Sequence, residues 1–214
     1  MGDKDLVGVE NIFCDLGVVL IDLDMERCMK SFQDLGVMDI AAQVGQSFKA
    51  GLFFALEEGT ITPAEFRNAI RSKTDRIITD EQIDDAWNSF LATIDPRKLM
   101  LLKKLRQRYK VFMLSNTNKI HFDYMEVHSF EKGKGFGLTD CFDKCYLSYE
   151  LHLSKPNREI FDAVLNDAGA TPENSLFIDD NARNIATAAR MGFKVCHYHS
   201  TADLINLFPS EWIE

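Results

Sequence analysis

The sequence predicts an α/β protein: a doubly wound parallel sheet with an all-helical domain inserted after the first strand. Two observations carry that reading. Three short runs, Ile12-Phe13-Cys14, Val111-Phe112-Met113-Leu114 and Leu176-Phe177-Ile178, are apolar at every position and stop abruptly at polar residues. Continuous rather than alternating apolarity is what a strand covered on both faces requires, and helix-like stretches follow each run, which is the alternation of a parallel sheet. The second observation is the stretch 22–96, which carries several helical patterns and no convincing strand.

In chain order, the first strand runs into Asp15. The insertion follows, with helices expected over Met25–Leu35, Pro63–Ser72 (entered through Thr62 as N-cap) and Glu81–Leu91, punctuated by Gly59-Thr60 and Thr79-Asp80. A helix over Pro96–Tyr109 returns the chain to the sheet, where the second strand ends at Ser115-Asn116. Cys145-Tyr146-Leu147 and Val195-Cys196-His197-Tyr198 are weaker strand candidates. Ile160, Phe161, Val164, Leu165 and Ala168 share one helical face closed by Gly169, and Ile185, Ala188 and Ala189 share another closed by Gly192. The expected division is a core of residues 1–21 and 97–214 and a helical domain of 22–96.

Composition narrows the partners. With 33 acidic against 24 basic side chains the formal charge is -9, which disfavours nucleic acid and anionic membrane surfaces, since both need a basic face. There is no apolar span of membrane length and no signal-like start, and the five cysteines are scattered, so a reducing, cytoplasmic setting is expected. Cys141 and Cys145 lack the further ligands that zinc requires.

In an open parallel sheet, ligands bind beyond the carboxyl ends of the strands. Asp15, Ser115 and Asp179-Asp180 all stand at such ends, and Lys155 precedes Pro156 at a helix start. These groups suit phosphoryl transfer. A carboxylate is repelled by a phosphate dianion, and Mg2+ shared between carboxylates and phosphate oxygens removes that repulsion. Asp15 and Asp180 are the expected carboxylates. Lys155 adds positive charge, and Ser115 with nearby backbone N–H groups holds phosphate oxygens. Asp15 can then attack phosphorus, giving an aspartyl-phosphate that water hydrolyses.

Four ordered segments, Phe13-Cys14-Asp15-Leu16-Gly17-Val18-Val19-Leu20, Leu114-Ser115-Asn116-Thr117-Asn118, Ser154-Lys155-Pro156-Asn157 and Phe177-Ile178-Asp179-Asp180-Asn181, resemble the motifs of the haloacid dehalogenase superfamily. The similarity is greatest to the branch with bacterial alpha-D-glucose-1-phosphate phosphatase and the N-terminal phosphatase domain of soluble epoxide hydrolase. The resemblance implies a Rossmann-like core with a C1 cap in the insertion. It further implies Asp15 as nucleophile and Asp15, the Gly17 carbonyl and Asp180 as Mg2+ ligands, with Asp179 behind them. Ser115, Asn116 and Lys155 become the phosphate-binding residues, and the substrate a small phosphorylated metabolite.

One departure matters. Most phosphatases of that superfamily carry an aspartate two residues after the nucleophile as proton donor, and here that position is Gly17. General acid catalysis is worth roughly 100- to 10,000-fold. The expectation is therefore a substrate with a leaving group that needs little help, such as a sugar 1-phosphate, or a proton from a cap residue or water. A dehalogenase of the same fold and a weakly active or non-catalytic phosphate-binding module are the alternatives. The remaining features read as structure: Asp22 and Asp24 as a helix start, His197 and His199 without a role, Lys98–Lys110 as a solvated face, and Phe53-Phe54 as cap packing. Gly133-Lys134-Gly135-Phe136-Gly137 reads as a loop without the flanking strand and helix of a phosphate loop.

Overall fold

The computed structural model describes residues 6–44, 51–128 and 137–208; most of the glycine-rich segment, 133–136, lies outside them. The chain begins with strand β1 (Asn11–Cys14) and a short β2 (Ile21–Leu23). Five helices follow: α1 (Met25–Asp34), α2 (Met38–Val44), α3 (Leu52–Glu57), α4 (Pro63–Arg71) and α5 (Asp80–Asn88). Strand β3 (Leu91–Ile94) and α6 (Pro96–Leu105) lead back to β4 (Lys110–Ser115) and α7 (Lys119–His128). The last part comprises β5 (Lys144–Leu147), α8 (Ser148–Leu151), α9 (Arg158–Ala168), β6 (Ser175–Asp179), α10 (Ala182–Met191), β7 (Lys194–His197) and α11 (Thr201–Asn206).

Five strands form one parallel sheet in the order β5-β4-β1-β6-β7, so β1 lies at the centre with β4 and β6 on either side. Its residues explain why both faces are covered. Ile12, Cys14, Val111, Met113, Leu176 and Ile178 pack on one side with Leu101, Leu102 and Leu105 of α6. Phe13, Phe112, Leu114 and Phe177 pack on the other with Ile160, Phe161 and Val164 of α9. Side chains alternate faces along a strand, so a strand apolar at every position must be sandwiched in this way. The expected helix stops are also present, with Gly169 at φ 63 and Gly192 at φ 100.

The cap has a core of its own. Phe32, Phe66 and Trp87 are fully buried, and Phe53 packs on Trp87 with ring centroids 4.5 Å apart. Burying side chains of this size contributes roughly 1.5–3 kcal/mol each, which lets five short helices hold together. Thr62 and Thr79 each close a capping box at the starts of α4 and α5. Asp24 caps α1 through the Arg27 N–H, a helix-start role as its sequence context suggests.

Three features depart from the sequence reading. The insertion is rooted in an antiparallel β2–β3 ribbon, with Ile21 opposite Ile94 and Leu23 opposite Leu91. These strands are only three and four residues long and partly exposed, so neither leaves a periodic pattern to detect. Because β3 starts at Leu91, α5 ends at Asn88 rather than at Leu91, and α6 ends at Leu105 rather than at Tyr109. Lys98, expected on a solvated face, is only 2% exposed: its ammonium lies 5.3 Å from the centre of the Tyr198 ring and 3.8 Å from Asp22. A distant segment supplies the cover, which local helical spacing cannot reveal.

Candidate active site

The sheet order makes the site. Asp15 follows β1 directly, and its N–H donates to Ile178 O at 2.9 Å, which continues the ladder one residue past the strand end. Its Oδ1 accepts the Leu16 N–H at 2.7 Å, which fixes the carboxylate over the end of the sheet. The chain then winds tightly: Leu20 and Ile21 both donate to Leu16 O, and Val18 donates to Ile21 O. Val18 takes φ 63, a region in which a β-branched residue is strained. The Gly17 carbonyl accepts the Val19 N–H at 2.6 Å and keeps a second lone pair.

Lys155 is the electrostatic centre. Its ammonium, sealed from solvent, stands 2.9 Å from Asp15 Oδ1, 2.7 Å from Asp179 Oδ2 and 2.7 Å from Leu114 O. Burial pulls the lysine down, but Asp15 and Asp179 outweigh it and hold Lys155 above its ordinary range. Asp179 is itself enclosed: besides the Lys155 ammonium it accepts from Asn184 Nδ2 at 3.0 Å and from the Asn181 main-chain N–H at 2.8 Å. The Asn116 side chain grips the Lys155 backbone twice, accepting its N–H and donating to its C=O, each at 2.9 Å. That pairing commits the Asn116 amide to positioning the lysine.

Asp180 is the half-buried member of the acidic pair. Ligand atoms of Asp15, Asp179 and Asp180 lie within 4.8 Å of one another, the metal-capable cluster found among the described residues. Three carboxylates face one ammonium, so the site lacks positive charge. The effect is visible in the acids. Burial, with a further push from Asp179 and against Lys155, raises Asp15 to about 7. Asp180 is raised too, by burial and then by Asp179. His197, given no role by the sequence, bonds through Nε2 to Asp180 O at 2.9 Å and so holds that residue's backbone.

A cavity of about 480 Å³ opens over these strand ends. Asp15, Gly17, Ser115, Asn116 and Asp180 line its floor, so five of the seven residues singled out in the sequence meet there, with Lys155 and Asp179 behind them. The roof comes partly from the cap, through Glu57 and Phe90, and partly from His121 of α7. His121 bonds through Nε2 to Trp87 O at 3.1 Å, and a carbonyl only accepts, so Nε2 carries the proton and Nδ1 is left as an acceptor. Burial pushes its pKa down to about 3, so the ring is neutral. Neither Glu57 nor His121 was legible beforehand. Glu57-Glu58-Gly59 reads as an ordinary solvated helix end, and His121 lies inside a helix with no acidic residue one helical turn before or after it.

Residues 38–192 match haloacid dehalogenase-like hydrolases. The D-ribitol-5-phosphate phosphatase of Bacteroides thetaiotaomicron is 35% identical over 195 residues, spanning 91% of this chain and 94% of that one. The chain belongs to the haloacid dehalogenase-like hydrolase family. Among solved structures of the family, an enzyme of Bacteroides thetaiotaomicron in complex with magnesium and inorganic phosphate is 43% identical, covers 90% of this chain and 96% of its own, and superposes with a TM-score of 0.84. A family hydrolase from Porphyromonas gingivalis is 38% identical over 88% of this chain and 90% of its own, with a TM-score of 0.80. The family fold is thus the one observed here: a parallel sheet with the polar residues of the four segments gathered at its carboxyl edge. No helix among the described residues is long and apolar enough to cross a membrane.

Proposed function

We propose that this family member is a magnesium-dependent phosphatase that hydrolyses a small sugar or polyol phosphate through an aspartyl-phosphate on Asp15. One observation carries the reading: Asp15 and Asp180 share a carboxylate cluster whose only close cation among the described residues is Lys155, at the floor of a cavity of about 480 Å³. The donor set fits Mg2+, a hard cation that takes carboxylate oxygens, and the shortage of positive charge is what a dication would relieve. Asp15, Asp180 and the free lone pair of the Gly17 carbonyl would hold it. Bound there, it would neutralise charge between carboxylate and phosphate.

The protein's own groups do the rest. Lys155 neutralises charge from below, Ser115 and the Asn116 main-chain N–H hold phosphate oxygens, and Asp15 Oδ attacks phosphorus. The identity of the relative, a D-ribitol-5-phosphate phosphatase, supports a sugar or polyol ester. Without another proton donor, the absence of a side chain at Gly17 would favour the narrower reading of a sugar 1-phosphate, whose anomeric oxygen leaves without much help. The cluster disfavours a dehalogenase, because attack on a halocarbon has no use for three crowded carboxylates.

The test is hydrolysis of p-nitrophenyl phosphate, D-ribitol 5-phosphate and sugar 1-phosphates by the purified protein, with Mg2+ and with a chelator. Repeated turnover that needs Mg2+ supports the proposal, and single-turnover phosphorylation or metal-independent halide release refutes it. The rank of D-ribitol 5-phosphate against sugar 1-phosphates decides the substrate class.

A further inference from the structure

We infer that Glu57, in the cap, is the proton donor that replaces the side chain missing at Gly17. The inference rests on the phosphatase reading above. Glu57 is the last residue of α3 and lines the same cavity as Asp15, Gly17 and Asp180, from the cap side of the site. It is not one of the clustered metal-capable carboxylates, so it is available for proton transfer.

Its place is fixed by the core rather than by the cap alone. Glu57 O accepts the Ser148 hydroxyl at 2.6 Å, and Glu58 Oε1 accepts the Ser154 hydroxyl at 2.8 Å. His152 Nδ1 bonds to Glu58 O at 3.0 Å. Gly59 then runs so close to the core that a Cβ there would stand 2.2 Å from Tyr149 O. Residues 57–59 are therefore clamped onto 148–154, the stretch that leads into Lys155. A proton donor must be held within hydrogen-bond reach of the oxygen it serves, and this clamp supplies that constancy.

The other charged groups facing Glu57 across the cavity are Asp15 and Asp180; His121 is the neutral ring beside it. Burial, and then the charge of Asp15, raise Glu57 to about 8, so the carboxyl keeps its proton near neutrality. In the first step Asp15 Oδ bonds to phosphorus, the bond from phosphorus to the ester oxygen breaks, and the Glu57 proton passes to that oxygen, releasing the alcohol. In the second step water attacks phosphorus, its proton passes to the Glu57 carboxylate, and the bond from phosphorus to Asp15 breaks. Inorganic phosphate leaves and both acids return to their starting states.

Glu57→Gln keeps the shape of the neutral carboxyl and removes the transferable proton. On the Mg2+-loaded enzyme, kcat for D-ribitol 5-phosphate should fall about 100-fold or more. The loss on p-nitrophenyl phosphate, whose phenolate leaves unaided, should be at least about tenfold smaller, with KM little changed for either. Equal losses on both esters, or no loss on either, would overturn the inference. Aryl turnover that depends on Mg2+ in the wild type keeps the phosphatase reading standing if Glu57 fails. Should the variant not fold, a series of alkyl and aryl esters on the wild type decides: rates nearly independent of leaving-group acidity support a proton donor, and steeply dependent rates exclude one.

Discussion

The Lys155 ammonium lies 2.7 Å from the Asp179 carboxylate, and the structure buries both side chains almost completely. Asp179 thereby acts behind the site, placing a cation under Asp15. Removing one partner of such a pair strands charge in a low-dielectric interior at a cost of about 3–5 kcal/mol. Lys155→Met should lower the melting temperature by about 6–20 °C and abolish turnover. Asp179→Asn, which keeps the hydrogen-bonding shape, should destabilise less while still misplacing the lysine. Thermal denaturation of both variants checks the order.

Asp15→Asn should reduce turnover below a few per cent and leave the fold intact. The stability effect has a sign fixed by the charge shortage. The Asp15 carboxyl is raised to about 7 in the folded chain, whereas an unfolded aspartate sits near the ordinary value of about 3.9. Between those values the folded state holds a proton that the unfolded state has released, so stability falls as pH rises through that window. Glu57, raised to about 8, extends the same trend upward. The metal-free protein should therefore melt lower at about pH 8 than at about pH 5, and Asn at position 15 should recover part of the difference. Excess Mg2+ should raise the melting temperature more at the higher pH. A metal-free protein more stable at the higher pH would contradict this account.

Gly59 tests the clamp. It sits at φ 67, and a Cβ there would meet the Tyr149 carbonyl. Gly59→Ala combines a left-handed backbone cost with a backbone clash, about 1–3 kcal/mol in all. The relief available is to lift residues 57–59 off the core, which carries Glu57 away from the cavity. The expected result is a lower melting temperature together with a larger loss of kcat on D-ribitol 5-phosphate than on p-nitrophenyl phosphate. A stability loss with no such preference would mean that the clamp does not position Glu57.

These relationships were unequally legible in the sequence. Asp15, Ser115 and Asp179-Asp180 announced themselves because each terminates a run buried on both faces, a pattern contained within a few residues. That Lys155 reaches under Asp15 depends on Asn116 gripping its backbone across 39 positions, so the sequence supplied the residue and the motif resemblance its partners. Glu57 was invisible for a physical reason. A carboxylate at the end of a helix is normally solvated, and only the packing of residues 57–59 against 148–154 turns this one inward. Lys98 shows the same limit: α6 alone presents it to water, and Tyr198 covers it. The short β2–β3 ribbon escaped because pairing, rather than composition, defines it.

Position 17 offers the most direct way to exchange one proton donor for another. Gly17 has no positive φ, and a Cβ built on it meets only Leu23 Cδ1 at 3.6 Å, an ordinary contact, so a Cβ is accommodated there without moving the backbone. Gly17→Asp would bring a carboxyl into the cavity from the floor, where Glu57 approaches from the roof. Placed in the Glu57→Gln background, it should recover at least about tenfold of the lost kcat on D-ribitol 5-phosphate, because a positioned acid is worth about 100-fold or more on a poor leaving group. In the wild-type background it should add little, since the oxygen already receives a proton. Kinetics of the two single variants and the double variant settle the matter through their non-additivity. If the aspartate helps the wild type as much as it helps Glu57→Gln, the two positions act independently and Glu57 does not serve the leaving group.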